Sequence, residues 1–163
     1  YGNGWDIRDA PSVGRNGIIY IVRERRVVAI NPDGSLRWKG PYMGWNVQTS
    51  AALGRRGSLY ATTATEKSVR AITLDGTAEW TFMGTKEFRS SPAIGPHGTV
   101  YAGSIDNKLH ALTPEGSEKW AYSTGNDVNS TPAIAANGTI YVGCDDPATV
   151  YYEENFYALN PNS

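Results

Sequence analysis

Apolar residues in this chain come in runs of only four to six, and the breaks between runs fall on Gly, Asn, Pro and Asp. Runs that short, bounded by turn formers, predict many short strands and little helix. The runs also repeat. Tyr20, Tyr60, Tyr101 and Tyr141 stand 40, 41 and 40 residues apart, in the segments GIIYIV, SLYAT, TVYAG and TIYVG. A second run follows each (VVAI, VRAI, LHAL, FYAL) and places Ala29, Ala71, Ala111 and Ala158 third. A turn comes next (NPDG, TLDG, TPEG, NPNS), and Trp38, Trp80 and Trp120 each lie nine residues beyond their alanine. Upstream of each tyrosine stands APSVG, SAALG, SPAIG or TPAIA.

Each unit therefore holds four strand candidates, A to D, typified by SPAIG, TVYAG, LHAL and EKWAY. Asn16-Gly17, His97-Gly98 and Asn137-Gly138 supply the backbone that a tight A–B hairpin needs. Asp33-Gly34, Asp75-Gly76 and Glu115-Gly116 do the same for the C–D turn. Four antiparallel strands recurring about every 40 residues describe the blades of a β-propeller. Strands B and C carry apolar residues at consecutive positions, as in Ile18-Ile19-Tyr20-Ile21-Val22. That pattern belongs to sheets covered on both faces, a condition met when each blade packs between two neighbours. Strand A is rich in small residues (Ala10, Ala51, Ala52, Ala93, Ala133), which suits crowding around a central axis.

The expected fold is an all-β propeller of four-stranded antiparallel blades in one domain, 1–163. Its blades span about 8–45, 46–86, 87–126 and 127–163. By the alanine-to-tryptophan spacing the last blade lacks its fourth strand. Four such blades make a partial or half ring, leaving apolar flanks and strand edges that favour self-association or a second half-propeller completing the ring.

Composition narrows the function. Fifteen basic and 16 acidic residues are spread along the chain for a net charge of −1, with no basic stripe for nucleic acid. No run of about 18 apolar residues implies membrane insertion, and no signal peptide lies within these residues. The single cysteine, Cys144, excludes an intrachain disulfide and reads as a small buried filler.

The segments SSPAIGPHGTVYAGSIDNKLHALTPEGSEKWAYSTG (90–125) and STPAIAANGTIYVG (130–143) resemble the PQQ-like β-propeller repeat. That family includes quinoprotein alcohol dehydrogenases and non-catalytic BamB-like propellers of the cell envelope. The resemblance covers essentially the whole chain and implies a tryptophan-docking motif, in which an indole stacks on a neighbouring backbone and locks blades together. The matching positions are Ala29 with Trp38, Ala71 with Trp80, and Ala111 with Trp120. It also implies closure with about six to eight blades, and a periplasmic, extracellular or envelope location. Quinoproteins hold their cofactor with an adjacent cysteine pair that this chain lacks, and the Ala-to-Trp spacing is slightly shorter than theirs. The non-catalytic branch is therefore preferred, with neither PQQ nor Ca²⁺ expected. The alternative is a fragment of a PQQ-dependent quinoprotein dehydrogenase whose cofactor residues lie outside this chain.

Site candidates are few. His97 replaces a turn residue, and His110 occupies a strand position held elsewhere by Val28, Arg70 and Tyr157. Both read as structural. The fourth unit has 17 residues from Tyr141 to Ala158, against 9, 11 and 10 in the others. The extra residues carry Asp145, Asp146, Glu153 and Glu154, two carboxylate pairs of the kind that chelate Ca²⁺; a solvated, lengthened hairpin with no metal is the preferred reading. The D-to-A loops lie on the same propeller face as the B–C hairpins. They present Trp5, Arg8, Trp45, Gln48, Arg89 and Asn129, residue types that hold a protein anchor or a sugar ring. The expected function is a non-catalytic scaffold or binding module for a protein or carbohydrate ligand.

Overall fold

The computed structural model describes residues 10–44, 49–145 and 155–161. These form four antiparallel sheets arranged as successive propeller blades. Blade 1 comprises β1 (Ser12–Val13), β2 (Ile19–Arg23), β3 (Arg26–Ile30) and β4 (Leu36–Lys39). Blade 2 comprises β5 (Ala52–Leu53), β6 (Ser58–Thr63), β7 (Ser68–Thr73) and β8 (Ala78–Met83). Blade 3 comprises β9 (Ala93–Ile94), β10 (Val100–Ser104), β11 (Lys108–Leu112) and β12 (Glu118–Ser123). In blade 4, the described strands are β13 (Ala133–Ile134), β14 (Ile140–Cys144) and β15 (Asn155–Leu159). The four sheets do not close into a ring.

The repeated residues meet across each sheet. Tyr20 pairs with Ala29 and Ala29 with Trp38; the same register joins Tyr60, Ala71 and Trp80, and then Tyr101, Ala111 and Trp120. Alanine in the middle leaves room for the two rings to approach, at 6.0, 5.7 and 5.7 Å between centroids. Such tilted contacts add to the area that the rings bury. The two-residue inner strands lie against one another around the axis: Ser12 Oγ donates to the Ala51 carbonyl at 2.6 Å, and the Ser91 hydroxyl accepts from the Ser50 amide at 2.9 Å. Small side chains permit that approach.

Three apolar clusters fill the three junctions between blades. The first joins Tyr20, Val27 and Ala29 to Leu59, Ala61 and Ile72. The second joins Tyr60, Val69 and Ala71 to Val100, Ala102 and Leu112. The third joins Tyr101, Leu109 and Ala111 to Ile140, Val142 and Leu159. Consecutive apolar positions in strands B and C thus serve opposite faces of one sheet, one toward each neighbouring blade.

The A–B turns refine the expectation. In all four it is the glycine that takes the left-handed conformation, at Gly17, Gly57, Gly98 and Gly138. Asn16 and Asn137 act instead through their side chains, their Oδ1 atoms accepting from the Ile18 amide (3.4 Å) and the Thr139 amide (3.0 Å). Only His97 shares the positive φ, at 60°.

Candidate functional site

The two ends of the blades differ in kind. At one end the A–B and C–D turns repeat with little variation. At the other, the D-to-A linkers clamp onto the B–C turns. There the Met43 amide donates to the Arg25 carbonyl at 2.9 Å, Gly84 to Lys67 at 2.7 Å, and Thr124 to Asn107 at 2.9 Å.

Each linker is also held by a side chain from one particular place in strand C of the following blade. Arg70 Nη1 donates to the Tyr42 carbonyl at 3.0 Å. Tyr157 donates its hydroxyl to the Thr124 carbonyl at 2.6 Å, its ring set edge-on to Tyr122. His110 lays its ring against Phe82 and Phe88, at 6.0 and 5.2 Å. The equivalent residue of blade 1 is Val28, which is buried.

His110 is richer than its sequence context suggested. Its Nδ1 lies 2.7 Å from Glu118 Oε1 and its Nε2 3.1 Å from Asp106 Oδ2. Ionised carboxylates only accept, so a ring nitrogen that bears a proton donates it to the acid beside it. Thr85 donates to the same Asp106 carboxylate at 3.0 Å, tying the linker into the group. Burial alone would raise the Asp106 carboxyl; the His110 charge and the bonds to His110, Thr85 and Ser104 outweigh it and hold the group below the ordinary aspartate value. A group depressed on folding contributes stability above its unfolded pKa and loses it as pH falls. Asp106→Asn should therefore cost about 1–2 kcal/mol at neutral pH. Paired denaturant titrations should show that gap closing as pH drops below about 4. An undiminished gap there would show that the carboxylate charge is not what matters. No sequence signal brought Asp106, His110 and Glu118 together, because the meeting depends on the C–D register with its irregularity between Ala111 and Leu112.

Of the loop-face residues, Arg89 and Asn129 are described. Arg89 Nε pairs with Glu87 at 2.8 Å. Asn129 donates through Nδ2 to the Asp145 carboxylate, and the Asp145 amide donates to the Asp127 carbonyl at 3.0 Å. The fold thus joins the fourth linker to the start of the acidic insertion. Asn129 Oδ1 is buried and has no hydrogen-bond partner among the described residues. Trp5, Arg8, Trp45, Gln48, Asp146, Glu153 and Glu154 lie outside the described residues. Among the described residues, no three His, Cys, Asp or Glu side chains gather as a metal site would require. No described helix is long and apolar enough to cross a membrane. Cys144 is buried.

At the opposite end, the tryptophans reach across the junctions. Trp38 donates Nε1–H to the Leu74 carbonyl at 2.9 Å, Trp80 to Pro114 at 2.8 Å and Trp120 to Pro161 at 3.3 Å. In each case the acceptor is in the C–D turn of the next blade. The first two indoles lie on the glycine of that turn. A Cβ at Gly76 would sit 2.9 Å from Trp38, and one at Gly116 2.6 Å from Trp80.

These blades, repeated in one register and stacked face to face, define a β-propeller. The family model of the outer membrane protein assembly factor BamB matches residues 4–145, and the chain belongs to that family. Among solved structures it is similar to BamB from Moraxella catarrhalis, with TM-score 0.70 and 16% identity over 99% of this chain and 53% of that one. It is also similar to the hydrazine synthase of Kuenenia stuttgartiensis (TM-score 0.76, 14% identity, 93% of this chain and 45% of that one). A third likeness is to virginiamycin B lyase from Staphylococcus aureus, with TM-score 0.67 and 14% identity over 92% of this chain and 54% of the lyase. The chain spans about half the length of each. No curated protein matches it in sequence.

Proposed function

We propose that this chain is a non-catalytic propeller module of the cell envelope that presents its linker face to a protein or glycan ligand and works without a bound cofactor. The observation that carries this reading is where the chemical variety lies. Blade bodies repeat Tyr, Ala and Trp in a fixed register, whereas the linker face differs at every junction: Arg70 with Tyr42, the Asp106–His110–Glu118 group, and Asn129 with Asp145. A rigid repeated body with a varied rim is the arrangement that binding propellers use. The envelope location is supported by the family, that of an outer membrane protein assembly factor.

The second part of the proposal is that the ring is completed by further blades, from a second copy or a partner. On blade 1, a cleft of about 280 Å³ is lined by the buried Ile21 and Val28, by Ile30 and the exposed Leu36, and by the charged Arg23, Glu24 and Lys39. Blade 4 presents Phe156, 71% exposed, on the opposite flank. Faces of this kind are the ones that pack at the three junctions described above.

A glycan array and a panel of envelope proteins, probed with the chain and with Trp5→Ala/Trp45→Ala, test the first part. Binding lost in that variant and retained in Lys119→Ala, at the other end of the blades, is the expected result. Binding to neither class, or binding indifferent to the linker-face variant, overturns it. Light scattering tests the second part: a compact monomer at low micromolar concentration, alone and with envelope extract, ends the ring-completion idea.

A further inference from the structure

We infer that the junction between blades 1 and 2 carries a second binding site, for a small organic anion with an apolar body, at the turn end of the blades. A cleft of about 410 Å³ opens there between the two A–B turns. Its apolar lining comes from Leu53 and Leu74, with Tyr20 beneath. Arg15 enters from the turn of blade 1 and Arg55 from the equivalent place in blade 2, so one guanidinium stands on each wall. Both arginines are exposed, and among the described residues neither makes a hydrogen bond or an ion pair. No carboxylate lines the cleft. Asp75, on the adjoining C–D turn, is occupied by the Thr73 hydroxyl and the Thr77 amide.

The other junctions show that this is not a routine product of the repeat. Between blades 3 and 4 the equivalent cleft is about 210 Å³, and Pro96 and His97 stand on its blade 3 wall, with Asn137 across from them. Between blades 2 and 3 an ion pair bridges the two turns, Arg56 Nη1 to Glu115 Oε1 at 3.2 Å. At the first junction, among the described residues, two arginines with no hydrogen bond or ion pair border an apolar floor, and no acid lines the cleft. Guanidinium forks match carboxylate and phosphate oxygens in pairs. A pocket of this size, mostly apolar with a few convergent polar groups, is typical of small-molecule sites. Charge at the rim and an apolar floor together select an amphipathic anion over a simple inorganic ion or an uncharged aromatic. The site lies at the opposite end from the linker face, and neither reading depends on the other.

The test uses 2-naphthoate as the probe, with 2-naphthalenemethanol and inorganic phosphate as controls, followed by calorimetry and by amide shifts in labelled protein. Naphthoate should bind, and should move the Gly14, Gly54 and Gly57 amides while leaving Gly98 and Gly138 unmoved. Arg15→Gln and Arg55→Gln should each weaken it about tenfold or more, as expected for loss of a charge-assisted hydrogen bond, without changing the melting temperature. Leu74→Asp should abolish it by placing an acid on the floor. Equal binding of the uncharged alcohol, equal perturbation of the blade 3–4 cleft, or no binding of naphthoate overturns the inference. Phosphate binding as tightly as naphthoate also overturns it, because the apolar floor would then contribute nothing.

Discussion

Trp80→Ala should destabilise the chain by about 3 kcal/mol, within the usual range for removing a packed aromatic ring. Three losses combine in that substitution. The indole gives up its hydrogen bond to the Pro114 carbonyl, its contact with Tyr60 at 5.7 Å, and its seat on the Gly116 turn. The first and third are the contacts that join blade 2 to blade 3 at the turn end. Chemical denaturation monitored by tryptophan fluorescence reads the change, and a melting temperature lower by roughly 10 °C should accompany it. Trp80→Phe keeps most of the ring area without the N–H donor and should fall between wild type and alanine. Equal stability of the alanine variant and wild type would mean that this junction is held by its core cluster alone.

The second large effect is expected at a glycine, and its value lies in a matched pair. Gly116 and Gly34 hold equivalent places in C–D turns, with φ of 89° and 84°. Alanine at either pays the cost of a left-handed conformation, about 1 kcal/mol. At Gly116 the new methyl would also lie 2.6 Å from the Trp80 ring, inside any ordinary contact, so the indole must be expelled. Gly116→Ala should therefore cost about 3 kcal/mol or more, approaching the Trp80→Ala loss, and the two substitutions together should be far from additive. At Gly34 no described group stands within 4 Å, and Gly34→Ala should cost the isolated chain only the backbone term. In a completed ring the two sites become alike. Gly34→Ala should then weaken association as strongly as Gly116→Ala weakens folding, which ties this pair to the ring-completion proposal.

The fold could be read in the sequence because its determinants are local and recur. Ala and Trp keep a nine-residue separation in three units, the tyrosines recur every 40 or 41 residues, and the glycine turns fix which strands pair. The short strand-A segments were legible for a steric reason, since a small residue (Ser12, Ala52, Ala93) stands in each of β1, β5 and β9, which approach one another. The sites were less legible because they form between units. His110 and Tyr157 differ from Val28 in ways that a repeat alignment treats as noise, yet each serves the equivalent place at its own junction with different chemistry. Arg15 and Arg55 stand 40 residues apart, and nothing in either turn announces that the two share one cleft.

The strand-C position occupied by Val28, Arg70, His110 and Tyr157 has a consequence for folding. Four nearly identical units could stack in any order, and repeat chains are prone to such misassembly. In the three blades whose preceding linker is described, this position meets a different partner: Arg70 the Tyr42 carbonyl, His110 the rings of Phe82 and Phe88, and Tyr157 the Thr124 carbonyl. A transposed neighbour would leave His110 without the pair of rings it packs against. The His110 contact thus favours one order of neighbours, a preference carried by the part of the repeat that repeats least.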